Sequence, residues 1–208
     1  LPIQEGRVKA TDFNLSKDLR FDIETGITAF KSSRLVIFDA DAIGLLRQQI
    51  VGTLGPEQAR TLFLQFGYQH GYADFLQMRM NYSFDSEMDL LASGPVIHTW
   101  EGIVHAAPKE IRFDRETGDF HFTGVWSNSY EAHQHLAYNE PANDPVCWSL
   151  MGYASGWCTA FFGRPLLAIE PVCLGKGDDR CEWLIQPPTA FGPAAAPYID
   201  ALQRFQGE

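Results

Sequence analysis

Nineteen consecutive residues, Pro145 to Gly163, carry no charge. A run of that length must leave water, either across a membrane, which takes about 20 apolar residues, or inside a protein core. Pro145, Ser149, Gly152, Tyr153, Ser155, Gly156, Thr159 and Gly163 dilute it, which suits a buried helix closely packed by its neighbours and argues against a span. The rest of the chain can supply those neighbours. Its 208 residues are 45% hydrophobic and 20% charged, enough for a real core in one sizeable domain or two small ones. Sixteen Lys+Arg against 26 Asp+Glu give a net charge of -10, which repels phosphate backbones and makes the chain a poor binder of nucleic acid or anionic membrane. Leu1 to Glu5 have neither a basic nor an apolar signal-peptide region. Four cysteines are too few for a disulfide scaffold, so a reducing, cytoplasmic setting is expected, where clustered cysteines favour metal.

The pattern along the chain predicts an α+β fold, with helices packed around an antiparallel sheet. Residues 1–18 read as a loose arm. Leu19–Ile23 alternates like a strand before a Glu24-Thr25-Gly26 turn, and Leu35–Phe38 is a second strand. Asp39 or Asp41 caps a helix with Ile43, Leu46, Ile50 and Leu54 on one face. Gly55 ends it. Pro56 opens another that runs to about Met80, with Ala59, Leu62, Phe66 and Gly67 inward. A third starts near Ser86 or Glu87 and is interrupted at Gly94-Pro95. Lys109–Asp114 and Phe120–Trp126 form a hairpin, the second strand placing Phe120, Phe122, Gly124 and Trp126 on one face. Tyr130–Tyr138 is helical, Leu166–Ile169 and Glu182–Ile185 are strands, and Ala195–Gln206 is an amphipathic helix with Ile199, Leu202 and Phe205 on its stripe. Gly67-Tyr68-Gln69-His70-Gly71 echoes Gly152-Tyr153-Ala154-Ser155-Gly156; glycines four apart share a helix face and let another backbone approach. Neither a GxxxxGK[ST] nor a GxGxxG loop occurs, so ATP or NAD binding is unsupported.

Cys147, Cys158, Glu170, Cys173 and Cys181 call for a joint reading. The Leu174–Arg180 loop, with two glycines, can fold back so that Cys173 and Cys181 meet one ion, and zinc takes four thiolate, imidazole or carboxylate ligands. On one helix Cys147 and Cys158 would be roughly 16 Å apart along the axis, so only one can join. Cys147, at the helix start, is favoured because the positive dipole end stabilises a thiolate; Cys158 reads as a buried structural thiol. Glu170 is a candidate fourth ligand, with His133 and His135 as rivals. Four protein ligands would close the shell, as in a structural rather than a catalytic site.

Pro145-Val146-Cys147-Trp148, Gly152–Gly156 and Cys173–Cys181 together resemble the 4-vinyl-reductase-type small-molecule-binding domain. Thr53–Arg60, Phe66–Gln69 and Ser93-Gly94-Pro95 narrow the match. Over about residues 18–190 the chain resembles the N-terminal sensor domains of aromatic-responsive, sigma-54-dependent activators of the NtrC class, phenol sensors above all. The resemblance implies a homodimer with a structural zinc on Cys147, Glu170, Cys173 and Cys181, and a buried monoaromatic effector. Effector binding would relieve repression of an AAA+ ATPase, while a further domain binds DNA; neither part lies in these 208 residues. It implies four segments: an arm (1–18), an effector-sensing region (19–140), a zinc-binding region (141–190) and the start of a linker (191–208). It also implies that His98 and Trp126 hold a phenolic hydroxyl.

That pair is chemically complete, because neutral histidine accepts the hydroxyl proton and an indole N–H donates to its oxygen. Gly124, between Phe122 and Trp126, leaves room for something flat. Tyr153 and Trp157 read as pocket walls. A sensor is the leading reading. A zinc-dependent enzyme acting on small aromatics would need a base, with only Glu182 and Asp178 as candidates, and a structural dimerisation module would need no pocket at all.

Overall fold

The uncharged run becomes a helix enclosed on both sides. The computed structural model describes residues 7–206. In it, α1 (Leu15–Asp18), α2 (Ala40–Leu54), α3 (Pro56–Asn81), α4 (Glu87–Trp100), α5 (Tyr130–Tyr138), α6 (Trp148–Phe162) and α7 (Ala196–Gln206) surround three small sheets. The largest is antiparallel, in the order β6 (His105–Phe113), β7 (Phe120–Ser127), β9 (Cys181–Gln186), β8 (Leu167–Val172). Helix α6 lies between this sheet and α3, and all its residues except Ala154 and Ala160 are buried. Among the described residues, no helix is long and apolar enough to cross a membrane.

The two glycine pairs are where α3 and α6 cross. A Cβ added to Gly67 or Gly71 would run into the carbonyl oxygens of Ser149 and Tyr153, and one on Gly152 or Gly156 into those of Leu64 and Tyr68. The helices therefore meet backbone to backbone, with each glycine pair seated on the partner's carbonyls.

Several expectations need correction. The described part of the arm is not loose. β1 (Arg7–Val8) pairs in parallel with β5 (Ser83–Phe84), and Ala10, Phe13 and Leu15 are buried, with Phe13 edge-on to Tyr82 at 4.7 Å between ring centroids. Residues 1–6 lie outside the described residues. β2 (Leu19–Asp22) and β4 (Ser33–Leu35) flank β3 (Ile27–Phe30), which the sequence reading missed. The expected strand Leu35–Phe38 stops at Leu35 because β3 offers no partner beyond it; Val36, Ile37 and Phe38 are 69%, 69% and 65% exposed. On α2, Asp39 does cap, accepting from Ala42 N at 2.7 Å, but Leu46 and Leu54 face out and Gly44 and Arg47 face in. Arg47 can be buried because it donates to the Val146 carbonyl (3.1 Å) and stacks 4.1 Å over Trp148. On α3, Ala59 and Gly67 are buried, whereas Leu62 and Phe66 are exposed and Phe63, Leu64 and Phe75 take the core positions. Helix α4, capped by Ser86, is not interrupted at Pro95. Proline cannot bond the carbonyl four residues back. That carbonyl, of Leu91, instead accepts from the indole N–H of Trp157 at 3.2 Å. On α7, Leu202 is buried and Ile199 packs against the core, while the side chain of Phe205 lies outside the described residues.

Candidate functional site

The last turn of α4, the middle of α6 and the inner face of β7 and β9 enclose one cavity. His98, Trp126, Tyr153 and Trp157 all line it, with Phe122, Cys158 and Trp183. It has about 30 Å³ open to the centre of a water-sized sphere, a measure on which one water needs about 10–15 Å³. Because α4 continues through Pro95, His98 is helical and 4% exposed. Its ring stacks on Tyr153, with centroids 4.0 Å apart and planes 9° off parallel.

Burial, and then the charge of His70, push the His98 pKa down to about 3. The imidazole is therefore neutral at pH 7, and one ring nitrogen can accept a hydrogen bond. Unfolding returns it to the ordinary value near 6.5, so in acid the unfolded chain takes up a proton that the folded one refuses. This stability is fully present above pH 6.5 and lost as the pH falls toward 3, by up to about 1.4 kcal/mol per unit. Asp74 and Glu101 are raised by burial and act with the opposite sign. The expected result is therefore a difference: in urea unfolding between pH 7 and 5, the parent loses more stability than His98→Phe. Parallel loss in both would contradict it.

Two cavity residues depart from the sequence reading. The gap at Gly124 is real, but Trp183 fills it: the register sets Trp183 opposite Gly124, and a Cβ on Gly124 would collide with that indole. Cys158, expected as a structural thiol, is buried and lines the cavity wall. The local signal for Trp183 was the buried alternation Cys181, Trp183, Ile185 on β9.

Behind Tyr153 lies a cluster that sequence reading missed. The Tyr153 hydroxyl donates to Asp74 Oδ2 (3.1 Å), and His70 Nε2 lies 3.3 Å from Asp74 and 3.7 Å from Glu101. Only the i,i+4 pair His70/Asp74 on α3 hinted at it.

At the other end of α6, Cys147, Glu170, Cys173 and Cys181 offer ligand atoms that all lie within 4.8 Å of one another. Cys147 is the N-cap of α6, Glu170 lies in β8, and Cys181 opens β9. Cys173 precedes the Leu174–Lys176 turn, which ends at Gly177 with φ 92°. Asp178 Oδ2 accepts from Cys173 N (2.7 Å) and fixes that loop. Both Glu170 oxygens are buried and without a hydrogen-bond partner, which fits a carboxylate facing a cation. Glu131, fully buried, accepts from Ser149 N (2.9 Å) and Leu150 N (3.2 Å) and anchors the start of α6. The rival ligands lie elsewhere: His133 is exposed, and His135 Nε2 is 3.1 Å from the Glu140 carbonyl. Nor does either candidate base stand free. Glu182 accepts from Lys109 (3.0 Å) and Arg180 (2.8 Å), and Asp178 also pairs with Lys176 (3.2 Å).

Comparison with known proteins gives two family matches, "Activator of aromatic catabolism" over residues 14–114 and the 4-vinyl-reductase-type domain over residues 126–187. The chain is similar to the phenol regulator MopR of Acinetobacter guillouiae (29% identity over 170 residues, 80% of this chain) and to the transcriptional regulatory protein XylR of Pseudomonas putida (30% over 168 residues, 81% of this chain). It spans only 30% of the length of each. Among solved structures it matches the phenol-responsive sensory domain of the activator PoxR with phenol, at 32% identity and TM-score 0.82, covering 89% of this chain and 92% of that one.

Proposed function

The chain belongs to the aromatic-effector sensor domains of sigma-54-dependent transcription activators, and from that premise we propose that it binds phenol or a simple phenolic in the His98–Trp126 cavity. The observation that carries this is a neutral, buried His98 and an indole-bearing Trp126 lining one cavity walled by Tyr153 and Trp157. His98 accepts the hydroxyl proton, Trp126 donates to the hydroxyl oxygen, and the aromatic walls take the ring. In the whole protein, occupancy of the cavity relieves repression of a covalently linked AAA+ ATPase that a further domain ties to DNA. The protein acts in the cytoplasm as a homodimer. Residues 1–18 form its arm, 19–140 the effector-sensing region, 141–190 the zinc-binding region and 191–208 the start of the linker.

Zinc is the metal of the C-terminal lobe, held by Cys147, Glu170, Cys173 and Cys181. Three thiols and one carboxylate suit zinc. A full set of four protein ligands makes it a structural staple between the start of α6, β8 and β9.

Calorimetry with phenol and toluene tests the cavity. Phenol is expected at micromolar affinity, about -8 kcal/mol, with toluene far weaker because it leaves two buried polar groups unpaired at roughly 1–3 kcal/mol each. His98→Ala is expected to lower phenol affinity by about one such increment without loss of fold or metal, and Trp126→Phe to erode the preference for phenol over toluene. Equal affinity for phenol and toluene in the parent chain would refute the reading.

A further inference from the structure

We infer that the preferred ligand carries a second oxygen on its ring, met by the indole N–H of Trp183; this rests on the reading of the cavity as a phenol site. Trp183 is 3% exposed and lines the cavity, and its Nε1 is buried without a hydrogen-bond partner. Trp157, on the same wall, already donates to the Leu91 carbonyl.

The position of Trp183 is fixed from several sides. Its strand register holds it opposite Gly124, its indole fills the notch left by that glycine, and Phe122 stands edge-on against it at 4.7 Å and 89°. An indole seated in this way cannot swing to find another acceptor. A buried donor without a partner is costly, and a ligand that displaces water from it must replace the lost hydrogen bond. The hydroxyl engaged by His98 and Trp126 uses its proton on one and a lone pair on the other. Trp183 therefore selects for another acceptor elsewhere on the ring, as in a dihydroxybenzene.

The test compares, on the metal-loaded chain, catechol, resorcinol and hydroquinone with the cresol bearing a methyl group at the same position. One dihydroxybenzene should bind about tenfold or more tightly than its cresol, since the pair differ chiefly in the acceptor. The other isomers should show no gain, because their second hydroxyl is buried against apolar walls. Trp183→Phe should bring the favoured ratio close to one, while phenol affinity changes less than about threefold. In ¹⁵N-labelled protein the Trp183 indole resonance should shift with the favoured dihydroxybenzene and not with its cresol, a readout that stands even if Trp183→Phe does not fold. Ratios near one for all three pairs, or a ratio that survives Trp183→Phe, would overturn the inference while leaving phenol recognition intact. If phenol itself does not bind, the underlying reading fails and this inference with it.

Discussion

Stripped of zinc by a strong chelator, or given Cys173→Ser, the protein is expected to lose cooperative unfolding of its C-terminal lobe. The four donors converge in a buried site, and both Glu170 oxygens have no protein partner. Without a cation nothing offsets the burial of those groups. Structural zinc sites have apparent binding free energies of about 10–16 kcal/mol, against total domain stabilities of about 5–15 kcal/mol, so metal loss is on the scale of the fold itself. The site joins the N-cap of α6 to β8 and β9, and its loss should loosen the helix that walls the effector cavity. Metal analysis and thermal unfolding of Cys147→Ser, Cys158→Ser and Cys173→Ser check this. Zinc should be lost from the first and third and kept at about one per chain in Cys158→Ser. The opposite pattern for Cys147 and Cys158 would break the assignment.

The donor set was readable because it depends on local spacing: two cysteines around a glycine-bearing turn, and a glutamate just before them. The long helices were readable too. Pro56 after Gly55 and the Asp39 and Ser86 caps are signals that lie within a few residues of the ends they mark. Features that depend on a distant partner were not. Arg47 faces the core because Val146 and Trp148 receive it, and apolar periodicity assigned that face to Leu46 and Leu54 instead. Pro95 reads locally as a break, yet a tryptophan far along the chain, Trp157, caps the freed carbonyl. Trp183 falls in the Gly124 gap only once the β7–β9 register is known, and His70, Asp74 and Glu101 meet only when α3 packs against the end of α4. At the cavity, family resemblance supplied the pair His98 and Trp126 that composition and periodicity alone leave as core residues.

Two glycine-to-alanine changes, both inside helices, are expected to move stability in opposite directions. Alanine is favoured over glycine in a helix interior by about 1 kcal/mol, so Gly52→Ala, on exposed α2 with nothing within 4 Å of the added Cβ, should stabilise by about that amount. Gly156→Ala meets the same propensity and the reverse packing. Its Cβ would overlap the carbonyl oxygen, carbonyl carbon and Cα of Tyr68, all backbone atoms that no rotamer change can move. The crossing must open instead. The three other glycines would then lose their close approach, and overpacking costs of about 1–3 kcal/mol add to the lost contact between the helices. A net destabilisation of about 3 kcal/mol is expected, with weaker phenol binding as well. Tyr153, whose carbonyl sits against Gly71 and whose ring stacks on His98, belongs to the helix that would be displaced. Urea unfolding of the two variants beside the parent measures the sign directly. Similar shifts for Gly52→Ala and Gly156→Ala would show that the α3–α6 crossing has room to spare, and that the glycines are not what sets its closeness.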